Sequence, residues 1–306
     1  MKYPPNQIEF ERMFNTEQSC IDYLVAIRWP HGFECPVCGS IRSWIKSYGR
    51  FECIDCHKET TVINGTIFHK STKPLLVWFH AIWWMVAQKN GVSAKGLQKI
   101  LGLGSYQTAW TWLHKFRRLM VLRGRIKLQG IVEVDEVFVG GKLSGKRGRG
   151  AEGKTLVAVA VEVIGRKTGR VRLAKVPDAS SESLLKFIQD NVELSSTIIT
   201  DAWPSYNELT KKGYQHKVQK ATVKEGEEEV LPNVHRIASL LKRWLLGTHQ
   251  SYLNKNKLEY YLDEYVFRYN RRTSKSRGLL FLRLIEQGLT ANPISYEKII
   301  KNQHGR

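Results

Sequence analysis

Acidic residues are in short supply: 28 Asp and Glu stand against 48 Lys and Arg, a net charge of +20 over 306 residues. A surface of that sign points to a polyanionic partner, nucleic acid first and an anionic membrane second. A long apolar run is missing as well. The most apolar window, PLLVWFHAIWWMVA (74–87), is too short to span a bilayer and carries His80. The first residues, MKYPPNQIEFERMF, hold no apolar signal core, so the chain is expected in the cytoplasm. In that reducing setting disulfides are disfavoured, and the Asn64-Gly65-Thr66 sequon reads only as a turn. No internal repeat is evident. With 42% hydrophobic and 10% aromatic residues the chain is a folded protein of two or three domains.

Residues 7–27 carry apolar positions at helical spacing, and two CxxC pairs follow. Pro74 opens a helix that runs to about Gln88. Ser93 then caps SAKGLQKIL and Ser105 caps YQTAWTWLHKFRRLMVL, the order of a helix-turn-helix. A basic tract (114–127) closes this half. From Ile131 the period changes to that of strands, at 131–139, 154–164 and 169–176. Helix 180–192, strand 196–201, helix 204–212 and strand 214–219 come next, then an acidic run at 225–229 and helices at 235–246 and 256–270. This predicts an α/β domain with one mixed sheet.

Four of the five cysteines fall in one register. Cys35-Pro-Val-Cys38 and Cys53-Ile-Asp-Cys56 are fourteen residues apart, and four thiolates match the tetrahedral preference of Zn²⁺. With no open position the site is expected to be structural. Iron in the same cage and His57 as a substitute ligand are the alternatives, while Cys20 is left to pack in the N-terminal helix. On the third helix, Lys115, Arg117 and Arg118 are expected to meet DNA phosphates while Trp110 and Trp112 pack inward. The stretch GGKLSGKR (140–147) nearly spells a phosphate loop. Arg147 stands where a Mg²⁺-binding hydroxyl is required, so a basic hairpin is expected instead.

The strand IVEVDEVFV places Asp135 in the middle of an apolar run, where an unpaired carboxylate is costly. Asp201 ends the short strand IITD. Acids on neighbouring strands can converge to hold two divalent cations for in-line phosphoryl transfer. Strand alternation puts Glu133 on the face of Asp135 and Glu136 on the other.

The order CPVCG, CIDC, helix-turn-helix, EVDEVFVGGK, IITDAW and a Lys-bearing helix resembles the zinc-ribbon, ISXO-type insertion-sequence transposases, over roughly Phe10 to Leu284. That resemblance implies a DDE-type catalytic core on an RNase H-like fold, with Asp135 and Asp201 as the first two ligands of catalytic Mg²⁺ or Mn²⁺. In many relatives a Glu precedes a helical Lys by seven residues. Lys242 fits the Lys, but His235 stands where the Glu would be, thirty-three residues beyond Asp201. A neutral imidazole suits Mn²⁺ better than Mg²⁺. Asn233 is a rival third ligand, and Glu225–Glu229 a weaker one. Lys242, Arg243, Arg268 and Arg271 are expected to hold DNA. Glu264, Arg268 and Arg271 resemble a spaced signature of the group, free to pair with one another or with phosphates.

The domains expected are an N-terminal helical segment (1–30), a zinc ribbon (31–70), a helix-turn-helix (71–125), the RNase H-like domain (126–290) and a basic tail (291–306). The function implied is a transposase that binds element ends and target DNA as a homo-oligomer, then cuts and joins strands. The alternatives are a non-catalytic DNA-binding regulator derived from a transposase and an RNase H-like nuclease that does not join.

Overall fold

The helical spacing over residues 7–27 resolves into two helices, because Thr16 offers a second start. In the computed structural model, which describes residues 1–121, 124–140, 154–219, 230–249 and 254–301, α1 spans Gln7–Met13 and α2 spans Glu17–Arg28. Thr16 and Ser19 bond each other's backbone N–H in a capping box, so the helix restarts there. Three short antiparallel strands follow, β1 (Ser43–Lys46), β2 (Arg50–Cys53) and β3 (Glu59–Thr61), and they carry the cysteine knuckles. The helices α3 (Leu75–Ala87), α4 (Ala94–Ile100) and α5 (Tyr106–Leu119) stand where the sequence places them, with Ser93 and Ser105 as caps.

The apolar window becomes α3, a core helix. Its Trp78, Phe79, Ile82, Trp83 and Met85 are buried, and Trp78 stacks on Trp112 of α5 at 3.9 Å between centroids. Pro74 lends α3 no capping side chain. Glu17 does so from α2, its carboxylate accepting the N–H groups of Leu75 (2.7 Å) and Leu76 (2.9 Å). No described helix is long and apolar enough to cross a membrane.

A second compact unit, Val121–Thr273, holds a five-stranded sheet. Strands β4 (Ile131–Val139), β5 (Thr155–Ile164) and β6 (Lys167–Lys175) form an antiparallel meander. After α6 (Ser181–Asn191) the chain returns as β7 (Thr197–Thr200), parallel to β4, and then as β8 (Gln215–Val218), parallel to β7. The sheet order is β6-β5-β4-β7-β8. Helix α6 covers one face through Leu184, Leu185, Phe187 and Ile188, over Val132, Val134 and Ile198. Helices α7 (Pro232–His249) and α8 (Leu258–Asn270) cover the other. This is the RNase H-like mixed sheet that the resemblance implies. The helix expected at 204–212 is two single 3₁₀ turns, Pro204–Tyr206 and Thr210–Lys212, the second stopped by Gly213 at φ 88°.

The chain then goes back to its first unit, which is Met1–Met120 together with Ser274–Arg306. Helix α9 (Arg277–Thr290) packs on α2, α3 and α5, and the short α10 (Tyr296–Ile300) follows it. Residues 274–290, expected within the RNase H-like domain, thus fall in this first compact unit. Phe281 of α9 joins Phe10, Phe14, Phe79 and Trp83 in one aromatic core, and that burial draws the helix to the N-terminal unit.

Candidate active site and metal centre

Strand register alone brings Asp135 and Asp201 together. Parallel pairing of β4 with β7 sets Glu133 opposite Ile199, so two residues further each chain carries an acid at the same level. Neighbouring strands lie about 4.8 Å apart, and equal register in a parallel pair sends both side chains to one face. That face is the one under α7. Asp135 Oδ1 accepts the N–H of Glu136 at 2.7 Å, and Asp201 Oδ1 accepts the N–H of Trp203 at 3.0 Å. Each acid thereby has one oxygen fixed by its own turn of backbone.

From above, the first turns of α7 lower His235 toward them, with Nε2 at 3.8 Å from Asp135 Oδ2. Burial pushes the Asp135 carboxyl up to about 6, the charges of Glu136 and Asp201 add to this, and His235 acts against it. Two carboxylates on one face of the sheet, with an imidazole 3.8 Å from one of them, are donors of the kind a divalent cation takes. Among the described residues the cluster of potential ligands close enough to hold an ion is the cysteine quartet, and these three do not form a second one. An open arrangement suits cations shared with a substrate's phosphate oxygens better than a closed cage does.

Glu136 lies on the opposite face, as alternation predicts. Its Oε2 accepts the Tyr206 hydroxyl at 2.8 Å, and burial raises that phenol far above its ordinary range. Asn233, the rival ligand, is turned away from the acids. Its amide donates to Glu133 Oε1 (2.7 Å) and its carbonyl oxygen accepts the Thr168 hydroxyl (3.0 Å). Residues 225–229 and the basic stretch at 141–150 lie outside the described residues.

Along α7 the exposed ridge runs His235, Ser239, Lys242, with Arg236 and Arg243 exposed beside it. Lys242 and Arg243 are therefore exposed on the side of α7 that begins at His235. Arg268 is not. It donates to the fully buried Glu264 at 2.8 Å and keeps only 13% of its side chain exposed, so it braces α8 instead of offering charge to DNA. Arg271 is half-buried, its guanidinium 4.2 Å over the Phe267 ring.

In the first unit the four cysteine sulfurs lie within 4.8 Å of one another, with Cys35–Cys56 at 3.7 Å and Cys38–Cys53 at 3.5 Å. A tetrahedral ion with Zn–S bonds of about 2.3 Å sets sulfurs roughly 3.8 Å apart, so the quartet fits zinc. Gly39 (φ 74°) and His57 (φ 54°) make the tight turns that close the two knuckles. The backbone N–H of Cys56 pulls the Cys53 thiol down to about 6. His57 itself points away, its ring 6.3 Å from that of Trp44. Cys20 is wholly buried in α2, and burial pushes its thiol up to about 12.

The basic end of α5 departs from expectation. Arg117 is 2% exposed, beside His114, and so offers no cation to a phosphate. Lys115 folds over the Trp78 ring and donates to the Ile67 carbonyl at 3.4 Å; Arg118 donates to the Asn292 carbonyl at 3.5 Å. The core needs their long apolar stems for packing. The exposed polar surface lies at the other end, at Ser105, Tyr106 and Gln107, with Lys95 and Lys99 of α4. Charge does not mark these residues in the sequence, whereas the recognition helix of a helix-turn-helix reads base edges with its N-terminal residues.

Fold and cysteine cage define a zinc-ribbon protein with an RNase H-like domain. Comparison with known proteins is more specific: residues 127–270 match the ISXO2-like transposase domain, and residues 15–59 match the transposase zinc-ribbon domain. The chain belongs to the ISXO2-like transposases. No curated protein matches it. Among solved structures it is similar to a chain of the simian T-cell lymphotropic virus intasome in complex with PP2A regulatory subunit B56 gamma, at 16% identity and a TM-score of 0.29. That likeness covers 54% of this chain and spans 63% of that one.

Proposed function

We propose that this transposase binds the ends of its element through the zinc ribbon and helix-turn-helix, then cuts and joins DNA at Asp135, Asp201 and His235. The observation that carries the reading is the pair of same-face acids on β4 and at the end of β7, with His235 3.8 Å from one of them. Mg²⁺ or Mn²⁺ bound there would supply Lewis acidity to the attacking and leaving oxygens of an in-line displacement. The residues' own part is to hold two carboxylates fixed by backbone bonds, with the third donor on a separate element. Lys242 and Arg243 lie down the same helix, where they would neutralise the phosphates of the strand being processed. The cysteine quartet would hold Zn²⁺ as a structural ion, since all four positions come from protein. DNA is the partner the charge calls for, and a homo-oligomer on paired element ends, working in the cytoplasm, completes the proposal.

Asp135→Ala should abolish strand transfer by purified protein while end binding in a gel-shift assay stays unchanged. Transfer that persists in this variant would sink the assignment. Cleavage without joining by the wild type would support a nuclease, and end binding with no cleavage in either Mg²⁺ or Mn²⁺ a regulator.

A further inference from the structure

Helix α7 carries His235, yet the residue before it has no capping side chain to give: Leu231 precedes Pro232. Leu231 is buried and held at φ 52°, a left-handed conformation unfavourable for leucine and more so before proline. Something must hold that turn. Glu133, 5% exposed on β4, does so across a hundred residues of sequence. Its Oε2 accepts the N–H groups of Asn233 (2.9 Å) and Val234 (3.0 Å), and its Oε1 accepts the Asn233 side-chain amide (2.7 Å). Thr168 of β6 closes the set by donating to the Asn233 carbonyl oxygen at 3.0 Å. A carboxylate at a helix N-terminus also meets the positive end of the helix dipole.

We propose that Glu133, with Asn233 and Thr168, is a positioning clamp that sets where His235 stands over Asp135. The proposal rests on reading Asp135, Asp201 and His235 as the cation site. Glu133 is two residues from Asp135 on one strand, and His235 is one residue beyond Val234 on the helix. The clamp therefore ties the two donors through a rigid path of a few bonds. Glu133 touches no reacting atom; its three accepted bonds are all directed at α7.

The test uses zinc-loaded, full-length protein. Mn²⁺ binding without DNA is read by the loss of the free-ion signal in electron paramagnetic resonance. Single-turnover cleavage and end binding use a duplex of the terminal repeat that flanks the coding region. Glu133→Gln should weaken Mn²⁺ binding and cleavage by about 10- to 100-fold, the usual effect of removing a partner that orients a metal donor, with end binding unchanged. Thr168→Val, which deletes the outer bond alone, should give a smaller loss in the same two readouts. The double variant Glu133→Gln with Asn233→Asp exchanges donor and acceptor in the side-chain pair and should recover both. Glu162→Gln is the control, because Glu162 is an equally buried sheet carboxylate bonded to Arg170 and Gln129 instead. It should lower the melting temperature and leave Mn²⁺ binding alone. Undiminished Mn²⁺ binding in Glu133→Gln overturns the clamp, as does a matching loss in Glu162→Gln or no recovery in the double variant. If Asp135→Ala also binds Mn²⁺ as well as the wild type, the cation site itself has been misread. If Asp135→Ala loses the ion and Glu133→Gln does not, only the clamp falls.

Discussion

Asp135 is held in a state that opposes folding. Its carboxyl titrates near 6 in the folded chain against 3.8 for an unperturbed aspartate, the rise coming first from burial and then from Glu136 and Asp201. A carboxyl whose folded value is raised favours the fold only while protonated. That contribution is complete below about pH 4 and is lost as pH rises through 6. At neutral pH the metal-free protein therefore carries a destabilising charge, which the cation proposed for this site would offset. Asp135→Asn should stabilise the metal-free protein by about 1–3 kcal/mol at pH 7.5, since one pKa unit corresponds to about 1.4 kcal/mol. The gain should vanish near pH 4. Urea denaturation of both proteins across that range measures it, and a gain that does not depend on pH would contradict the assignment of the shift. At this scale the sequence was informative wherever chemistry is local. The CxxC spacing located four sulfurs, and alternation placed Glu133 and Glu136 on their correct faces. It was silent on the partner of Glu133, because that bond joins residues a hundred positions apart and nothing near Glu133 announces it.

Helices with proline at their start show how elements are tied together. Both α3, after Pro74, and α7, from Pro232, take a carboxylate from elsewhere, Glu17 in one case and Glu133 in the other. Serine-capped helices such as α4 and α5 start on their own residues and were readable for that reason. What the pattern of α5 could not reveal is which of its cations stay in water. Period and charge are both satisfied by an outward Arg117, and only the packing of α9 and the ribbon loop around the helix turns that end inward. The consequence for DNA is specific. If α5 is the recognition helix, discrimination belongs to Tyr106 and Gln107, and affinity to Lys95 and Lys99. Gln107→Ala should reduce binding to the terminal repeat by about 1–3 kcal/mol relative to unrelated DNA, as loss of one two-bonded base contact does. Its salt dependence should stay the same. Lys95→Ala should weaken both DNAs alike and lower the salt slope by about 0.9. Fluorescence anisotropy at several salt concentrations separates the two, and equal loss on both DNAs in Gln107→Ala would remove α5 from sequence readout.

The whole molecule is a domain inserted into another, since the chain leaves the first unit after Met120 and returns at Ser274. The returning helix is no appendage. Phe281, Leu284 and Ile285 are fully buried, and Leu280 is 3% exposed. The N-terminal segment closes over the same helix: a Cβ on Gly278 would fall 1.7 Å from the Pro4 carbonyl oxygen, and the Tyr23 hydroxyl donates to the Lys2 carbonyl at 2.9 Å. Burying each large apolar side chain contributes about 1.5–3 kcal/mol, and a domain's net stability is only about 5–15 kcal/mol. Exposing the partners of four such residues at once would consume that margin. Residues 1–120 alone should therefore fail to fold cooperatively even with zinc present. The same residues joined by a flexible linker to residues 274–306 should fold, because closing a linker costs little more as it lengthens. Near-ultraviolet circular dichroism of the stacked Trp78 and Trp112, followed through urea, distinguishes the two chains. A cooperative transition in residues 1–120 alone would show that the first unit stands without its returning helix. Failure of that chain with recovery in the linked one would mean that a chain truncated after its second unit loses the fold of its first.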